Sequence, residues 1–327
     1  MSKRVLNGMR ATGKLHLGNY LGSAKGMIEL QDDHDFETFY MVADLHGLTT
    51  PYDKDLFAQN TRNVIIDYLS CGIDPSKSVL FVQSHVPQHA EFSFFCASTL
   101  TVARCSHLPT YKEKVKQYPK HVTMAMLNYP TLMASDILLY KADFVPVGLD
   151  QEPHMEITRE VAKRFNNEYG MDFREPQRFI TKGQYIPSLT GEGKMSKSVE
   201  GSYISLTDDL ETIQKKIRSV ETATTSGGEM SPSVKTLFVL LELLASNELM
   251  KFKTAYENRT LKFVELKDAL SEAIYAELKP IQEKRREIEI DSAYVDKVIK
   301  EGAEKAREIA QQTVAEVKQK MGLLVSN

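Results

Sequence analysis

Short apolar runs alternating with longer amphipathic ones constrain the first half of this chain more than any other feature. Residues 38–43 (TFYMVA) and Val79–Val82 (VLFV) have the length and the β-branched and aromatic content of buried strands, and residues 144–147 (FVPV) read as a third. Between the first two, Leu56, Asn60, Val64 and Leu69 recur at near-helical spacing, with Ile65 and Ile66 beside them. Strands separated by helices of roughly 10–15 residues predict a parallel sheet covered on both faces. Ligands of such sheets sit beyond the carboxyl ends of the strands, so the loops that follow strands are the places to look for chemistry.

Beyond about residue 205 the period becomes helical. Thr207, followed by Asp208 and Asp209, predicts an N-cap with an acidic first turn, after which Leu210, Ile213, Ile217 and Val220 share one face. Ser226-Gly227-Gly228 breaks that run. Residues 234–245 (VKTLFVLLELLA) are apolar enough for a buried helix, and residues 261–278 predict an amphipathic helix that Pro280 ends or kinks. Residues 291–324 predict a long final helix, apolar at Val295, Val298, Ile299, Ala303, Ala306, Ile309 and Val317. The expected architecture is an α/β nucleotide-binding domain followed by a smaller all-helical one.

Charge narrows the function. Lys and Arg total 41 against 44 Asp and Glu, a net charge of −3, so an RNA partner must be held by a local patch rather than by bulk attraction. Three cysteines, Cys71, Cys96 and Cys105, form no CxxC pair and leave an odd one out, which argues against a disulfide framework or zinc ribbon. The opening MSKRVLNGMRATGK lacks a signal peptide's apolar run, and no apolar stretch reaches the ~18 residues of a membrane span. A cytoplasmic location, no membrane and no protein-bound metal are expected.

Two stretches carry chemistry. The first, residues 7–19 (NGMRATGKLHLGN), spaces glycines at 8, 13 and 18 and ends where Asn19 begins a predicted helix through residues 27–30. A small-residue loop opening into a helix offers unpaired N–H groups and a positive dipole end to phosphates, and His16 and Asn19 add side-chain donors. A structural turn whose polar groups satisfy one another is the alternative. The second stretch is Lys194-Met195-Ser196-Lys197-Ser198, flanked by Gly191, Gly193 and Gly201. Two ammonium groups and two hydroxyls on a glycine-hinged loop can follow the charge on a departing pyrophosphate.

Together these stretches resemble the HIGH and KMSKS signatures of class I aminoacyl-tRNA synthetases, the first as His16-Leu17-Gly18-Asn19 and the second intact at 194–198. Residues 129–138 (YPTLMASDIL) and 145–154 (VPVGLDQEPH) make the chain most similar to the tryptophanyl-tRNA synthetase family in its bacterial form. Two positions depart from the pattern. Ala11 stands where the family usually has proline, which relaxes the loop, and Asn19 replaces the last His of HIGH while keeping a donor.

The resemblance implies a Rossmann-like catalytic domain over residues 1–190, a KMSKS loop and helical anticodon-binding domain over 191–290, and a C-terminal helix, 291–327, packing back on the catalytic domain. It implies a tryptophan–tRNA ligase using L-tryptophan, tRNA(Trp) and ATP with Mg²⁺, working as a homodimer. His16, Asn19, Lys194 and Lys197 are implied as catalytic. ATP contacts are implied at Arg10, Ala11, Thr12, Gly18, Asn19, Gly148, Leu149, Asp150, Ile186, Lys194, Met195, Ser196, Lys197 and Ser198. Tryptophan contacts are implied at Gly8, His46, Met133, Asp136, Val145, Val147 and Gln151, with Gln151 facing the ammonium group.

The specificity stretch is also readable from the residues. Met133 and Ile137 lie four apart with Asp136 in the same turn, so a carboxylate emerges among apolar neighbours. Val145 and Val147 share a strand face, with Gly148 next to admit a ligand. An apolar slot with one acceptor suits an indole, whose N–H only donates. Asp150 as a metal ligand is the rival reading, but no second carboxylate sits at useful spacing. The basic segment 112–120 (KEKVKQYPK), flanked by Tyr111, reads as a solvated helix face ahead of a tRNA acceptor-stem contact. Tyrosyl-tRNA synthetase is the nearest rival, usually carrying a Gly-Gly-Ser-Asp-Gln type of strand end where this chain has Val-Gly-Leu-Asp-Gln. A small-molecule nucleotidyltransferase and a non-charging regulatory paralogue that binds tRNA or tryptophan are rivals of other classes.

Overall fold

The computed structural model describes residues 2–11, 13–180, 185–197, 199–222 and 227–324. Among them five parallel strands form one sheet in the order β3-β2-β1-β4-β5: β1 (Lys3–Arg10), β2 (Phe36–Ala43), β3 (Val79–Val82), β4 (Phe144–Val145) and β5 (Gln177–Arg178). The chain winds from β1 outward to β3, then crosses back to place β4 on the other side of β1. The point where strand order reverses therefore lies between β1 and β4, and a crevice opens beyond their carboxyl ends.

Alternation along the strands divides the core. Val5, Tyr40, Val42, Leu80 and Val82 face one apolar cluster, while Leu6, Phe39, Met41 and Phe81 face the other. Helix α1 (Leu17–Asn19), a π-helical turn at Tyr20–Ala24 and α2 (Lys25–Gln31) join β1 to β2, and α3 (Lys54–Cys71) joins β2 to β3. Helices α4 (Gln88–Ser98), α5 (Val102–Ser106), α6 (Pro109–Gln117) and α7 (Met124–Leu139) fill the crossover to β4, and α8 (Glu152–Tyr169) leads to β5. The remainder is helical: α9 (Leu210–Arg218), α10 (Pro232–Leu244), α11 (Ser246–Glu257), α12 (Phe263–Ile290) and α13 (Ser292–Lys320). The first cluster continues into this region through Leu237, Leu241, Leu270 and Ile274, whereas Ala306, Ala310 and Val314 of α13 join the second, beneath the sheet. Gly302 permits that contact, since a Cβ there would stand 1.7 Å from the carbonyl oxygen of Leu80 in β3.

Several local expectations change. Strand β1 runs through Asn7–Arg10, which reads from sequence as loop, because a central strand ending at a ligand site carries polar and glycine positions that mask its apolar pattern. Strand β4 stops at Val145, since Pro146 has no N–H for the ladder, so Val145 and Val147 do not share a strand face. Asp209, not Thr207, caps α9 by accepting the Thr212 N–H at 2.8 Å. Helicity begins at Leu17 rather than Asn19, and α12 passes through Pro280 to Ile290 without ending there. Thr12, Ser198 and Ser226 lie outside the described residues.

Candidate active site

A cavity of about 400 Å³ occupies the crevice beyond β1 and β4. Of the residues singled out in the sequence, Gly8, Arg10, Gly18, Asn19, His46, Met133, Asp136, Val145, Val147, Gly148, Asp150, Gln151 and Lys194 line it. A larger cleft of about 1090 Å³ lies between α3 and α13, and none of the residues implied as catalytic, ATP-binding or tryptophan-binding line it.

The two signature stretches meet at one end of the cavity. Residues 204–206, just past the second loop, bridge to the first: the Leu17 N–H donates to the Ile204 carbonyl at 2.8 Å and the Leu206 N–H to the Leu15 carbonyl at 3.1 Å. Gly18 lies where the loops touch, since a Cβ there would stand 3.0 Å from both the His16 ring and Met195 Cβ. His16 caps the helix turn reciprocally with Asn19. Its Nδ1 accepts the Asn19 N–H, and Asn19 Oδ1 accepts the His16 N–H, each at 3.2 Å. With Nδ1 accepting, the network assigns the ring proton to Nε2, leaving Nε2–H and the Asn19 amide NH₂ as donors. Burial, reinforced by the nearby charges of Lys197 and Lys194, lowers the His16 pKa to about 4, so the ring is neutral at pH 7.

Lys197 approaches Gly13, its Nζ 3.8 Å from where a Cβ would stand. Burial depresses its pKa, and the Asp67 carboxylate opposes that shift. Asp67 is buried beneath the first loop, where its Oδ2 accepts the Leu15 N–H at 2.6 Å and its Oδ1 accepts Arg285 Nε of α12 at 2.7 Å. Met195 and Ile186 are buried in the core, bonded through the Met195 N–H and the Ile186 carbonyl, and so anchor the second loop. Ala11 is also core, whereas Leu149 is 70% exposed. His16, Ala11, Leu149, Ile186, Met195, Ser196 and Lys197 do not line the cavity itself.

At the other end Asp136, on α7, is buried and takes three hydrogen bonds. His46 Nε2 lies 2.7 Å from Oδ2, while Gln83 Nε2 and His89 Nδ1 lie 2.7 and 2.6 Å from Oδ1. Burial works to raise its pKa, but the two imidazoles outweigh it and hold the carboxyl below the usual carboxylate range. His46 sits in the turn after β2, edge-on to Tyr129 at 4.5 Å between centroids. Gln151 Oε1 accepts from His154 Nδ1–H at 3.0 Å, and its amide donates to Asp150 Oδ2 at 2.7 Å, so Asp150 and His154 set its orientation.

Sequence reasoning missed Tyr129 as a wall residue, together with Met41, Gly22 and Ser23. Gly22 and Ser23 reach the cavity from the π-helical turn, which has no sequence signature, although such turns recur at functional sites. Gln83 and His89 were also missed, because only the fold brings them to Asp136. Among the described residues no group of three or more His, Cys, Asp or Glu could hold a metal ion.

Comparison with known proteins identifies the family. The family profile for class I tRNA synthetases (W and Y) matches residues 2–279. Tryptophan–tRNA ligase of Porphyromonas gingivalis is 40% identical over 327 residues, covering 97% of this chain and 98% of the relative. Tryptophanyl-tRNA synthetase of Mycoplasma pneumoniae superposes with a TM-score of 0.88 at 33% identity, covering 99% of each chain. The Campylobacter jejuni enzyme, solved with ADP and tryptophan, gives 0.85 at 31% identity over 98% of this chain and 100% of its own. The chain belongs to the class I tRNA synthetases of the tryptophan and tyrosine family, and within that family to the bacterial-type tryptophan–tRNA ligases.

Proposed function

We propose that this chain charges tRNA(Trp) with tryptophan in two steps carried out in the cavity beyond β1 and β4. A carboxylate oxygen of L-tryptophan attacks the α-phosphorus of ATP in line, the bond to the bridging oxygen breaks, and pyrophosphate leaves with Mg²⁺, which enters with ATP as part of the substrate. The activated acyl group then passes to the 3′ end of the tRNA. Little covalent help is needed, so positioning and charge stabilisation carry the rate.

The observation behind this reading is that one cavity is lined by Asp136 at one end and by Asn19 and Lys194 at the other. The indole N–H would donate to Asp136, with Met133, Val145 and Val147 against the ring, Gly8 and His46 beside it, and Gln151 at the ammonium group. His16 Nε2–H, the Asn19 amide, Lys194 and Lys197 would hold phosphate and pyrophosphate oxygens. Arg10, Gly148 and Asp150, which line the cavity, would face ATP, and Ala11, Leu149, Ile186, Met195 and Ser196 would support its site. Residues 191–290 would read the anticodon. Phe94 on α4, Val102 on α5 and Met124 on α7 are exposed apolar side chains, and α4 and α5 both pack against α7; a second copy covering them would make the homodimer. No helix among the described residues is long and apolar enough to cross a membrane; a cytoplasmic setting would follow from a role in translation like that of the relatives.

Pyrophosphate exchange with each of the 20 amino acids tests the assignment. Tryptophan alone should support Mg²⁺-dependent exchange, without tRNA. Exchange with tyrosine instead would favour the tyrosyl rival, and no exchange at all would favour a non-charging paralogue.

A further inference from the structure

Asp136 has more donors than its role as an acceptor requires, and their arrangement is selective. An ionised carboxylate offers about four acceptor positions. Both positions on Oδ1 are taken, by Gln83 Nε2 at 2.7 Å and His89 Nδ1 at 2.6 Å. On Oδ2 one is taken, by His46 Nε2 at 2.7 Å. One acceptor position therefore remains, on the oxygen shared with His46, which itself lines the cavity.

His89 does not reach the cavity. It is fully buried, with Nδ1 on Asp136 and Nε2 2.8 Å from the Tyr140 hydroxyl. Because the carboxylate can only accept, Nδ1 carries a proton and donates it, while Nε2 is paired with the Tyr140 hydroxyl. Phe81 stacks on the ring at 5.9 Å between centroids, fixing its plane. The Ser135 hydroxyl donates to the His89 carbonyl at 2.8 Å, tying α4 to the turn of α7 that carries Asp136.

We infer that His89 and Gln83 are positioning residues for amino-acid specificity: by saturating Oδ1 they hold Asp136 ionised and in one rotamer, so that Oδ2 presents a single acceptor to a single ring N–H. The inference rests on Asp136 as the indole acceptor. It adds two residues that touch no substrate and act through the carboxylate.

The test compares kcat/KM in pyrophosphate exchange for tryptophan and for the benzothiophene isostere, which lacks the ring N–H, using the full-length protein. In His89→Leu the ratio should narrow by about 10- to 100-fold, the scale of a hydrogen bond to a charged group. His89→Asn, which restores a donor near the Nδ1 position, should recover most of it. Gln83→Met keeps the length of the side chain and removes its donor, and should narrow the ratio about tenfold; it decides the matter if His89→Leu does not fold.

A pH profile separates positioning from packing. With a donor lost, Asp136 should hold its proton to higher pH than in the parent, so the acidic limb of the kcat/KM profile for tryptophan should move to higher pH in His89→Leu. The titratable groups that face Asp136 are His46 from the turn after β2, His89 and Cys96 from α4, and Tyr129 and Tyr140 on α7 and at its end. An unchanged ratio in folded variants, or equal losses for both substrates, would overturn the inference. If the parent itself did not prefer tryptophan over the isostere, the reading of Asp136 would fall first and this inference with it.

Discussion

The two ends of the cavity are held by opposite means. At the amino-acid end one carboxylate takes hydrogen bonds from three separate segments, and His46, Gln83, His89 and Asp136 are all buried. At the phosphate end the cations Lys194 and Lys197 come from a loop pinned in the core by Met195 between them. Discrimination needs a group already in place before the substrate arrives, because its reorganisation would cost the selectivity it provides. Stabilising charge on a departing pyrophosphate instead needs cations that can follow it. The phosphate end has its footing below, in the Asp67–Arg285 pair beneath the Leu15 N–H.

That footing is where the largest effect is expected. Asp67→Ala leaves Arg285, only 4% exposed, without its main counter-charge. Breaking a buried pair from one side costs about 3–5 kcal/mol, whereas an apolar replacement of both partners is often neutral. Denaturant unfolding should therefore show a large loss for Asp67→Ala and partial recovery in Asp67→Leu/Arg285→Met, in which the Leu15 N–H still lacks its acceptor. A loss under about 1 kcal/mol for the single change would mean the phosphate end is not anchored from below.

Next in size is Lys197→Ala. The adenylation rate constant should fall by ~10²-fold or more, with tryptophan affinity nearly unchanged, because the lost interaction belongs to the transition state. Equal losses in rate and in tryptophan binding would make the loop structural and erase the contrast between the two ends. Asp136→Ala should show the opposite signature: a penalty of about 1–3 kcal/mol on tryptophan and little on ATP. Against the isostere lacking the N–H that penalty should shrink, and additive losses in the residue-by-ligand cycle would remove Asp136 from the slot.

The same contrast explains what was legible in the sequence. Glycine spacing and the KMSKS pentapeptide announce a phosphate site because both stretches are contiguous in sequence. The amino-acid end is assembled from residues 46, 83, 89 and 136, and only Asp136 and His46 could be singled out from their neighbours. Gln83 and His89 sit beside Ser84 and Ala90 with nothing local to mark them, and the parallel crossover through α4 to α7 brings them to the carboxylate. Strands buried on both faces, such as β3, are visible as apolar runs. Strand β1 is hidden by the polar and glycine residues its role at the site demands. Pro280 illustrates tertiary override, since burial of Leu278 and Ile281 on either side keeps α12 helical through it.

The smallest predicted effect sharpens the comparison most directly, because each end carries a histidine whose pKa burial lowers to about 4, with different neighbouring charges acting beside it. For His16 burial comes first and the cations Lys197 and Lys194 add to it. For His154 burial comes first and His46 adds to it, opposed by Asp150. Lys197→Ala should therefore raise the His16 pKa part of the way towards 6.5 and leave His154 where it is, as read from the imidazole C2 proton in NMR titrations. The sign carries into stability. Each ring stays neutral in the folded state while its unfolded counterpart protonates near 6.5, so stability is intact above that pH and declines as the pH falls towards 4. The decline is up to about 1.4 kcal/mol per pH unit for each ring. Raising the His16 pKa shortens that window, so Lys197→Ala should lose less stability on acidification than the parent does. A His16 pKa that does not move, or a His154 pKa that moves with it, would mean that the two ends share one electrostatic environment.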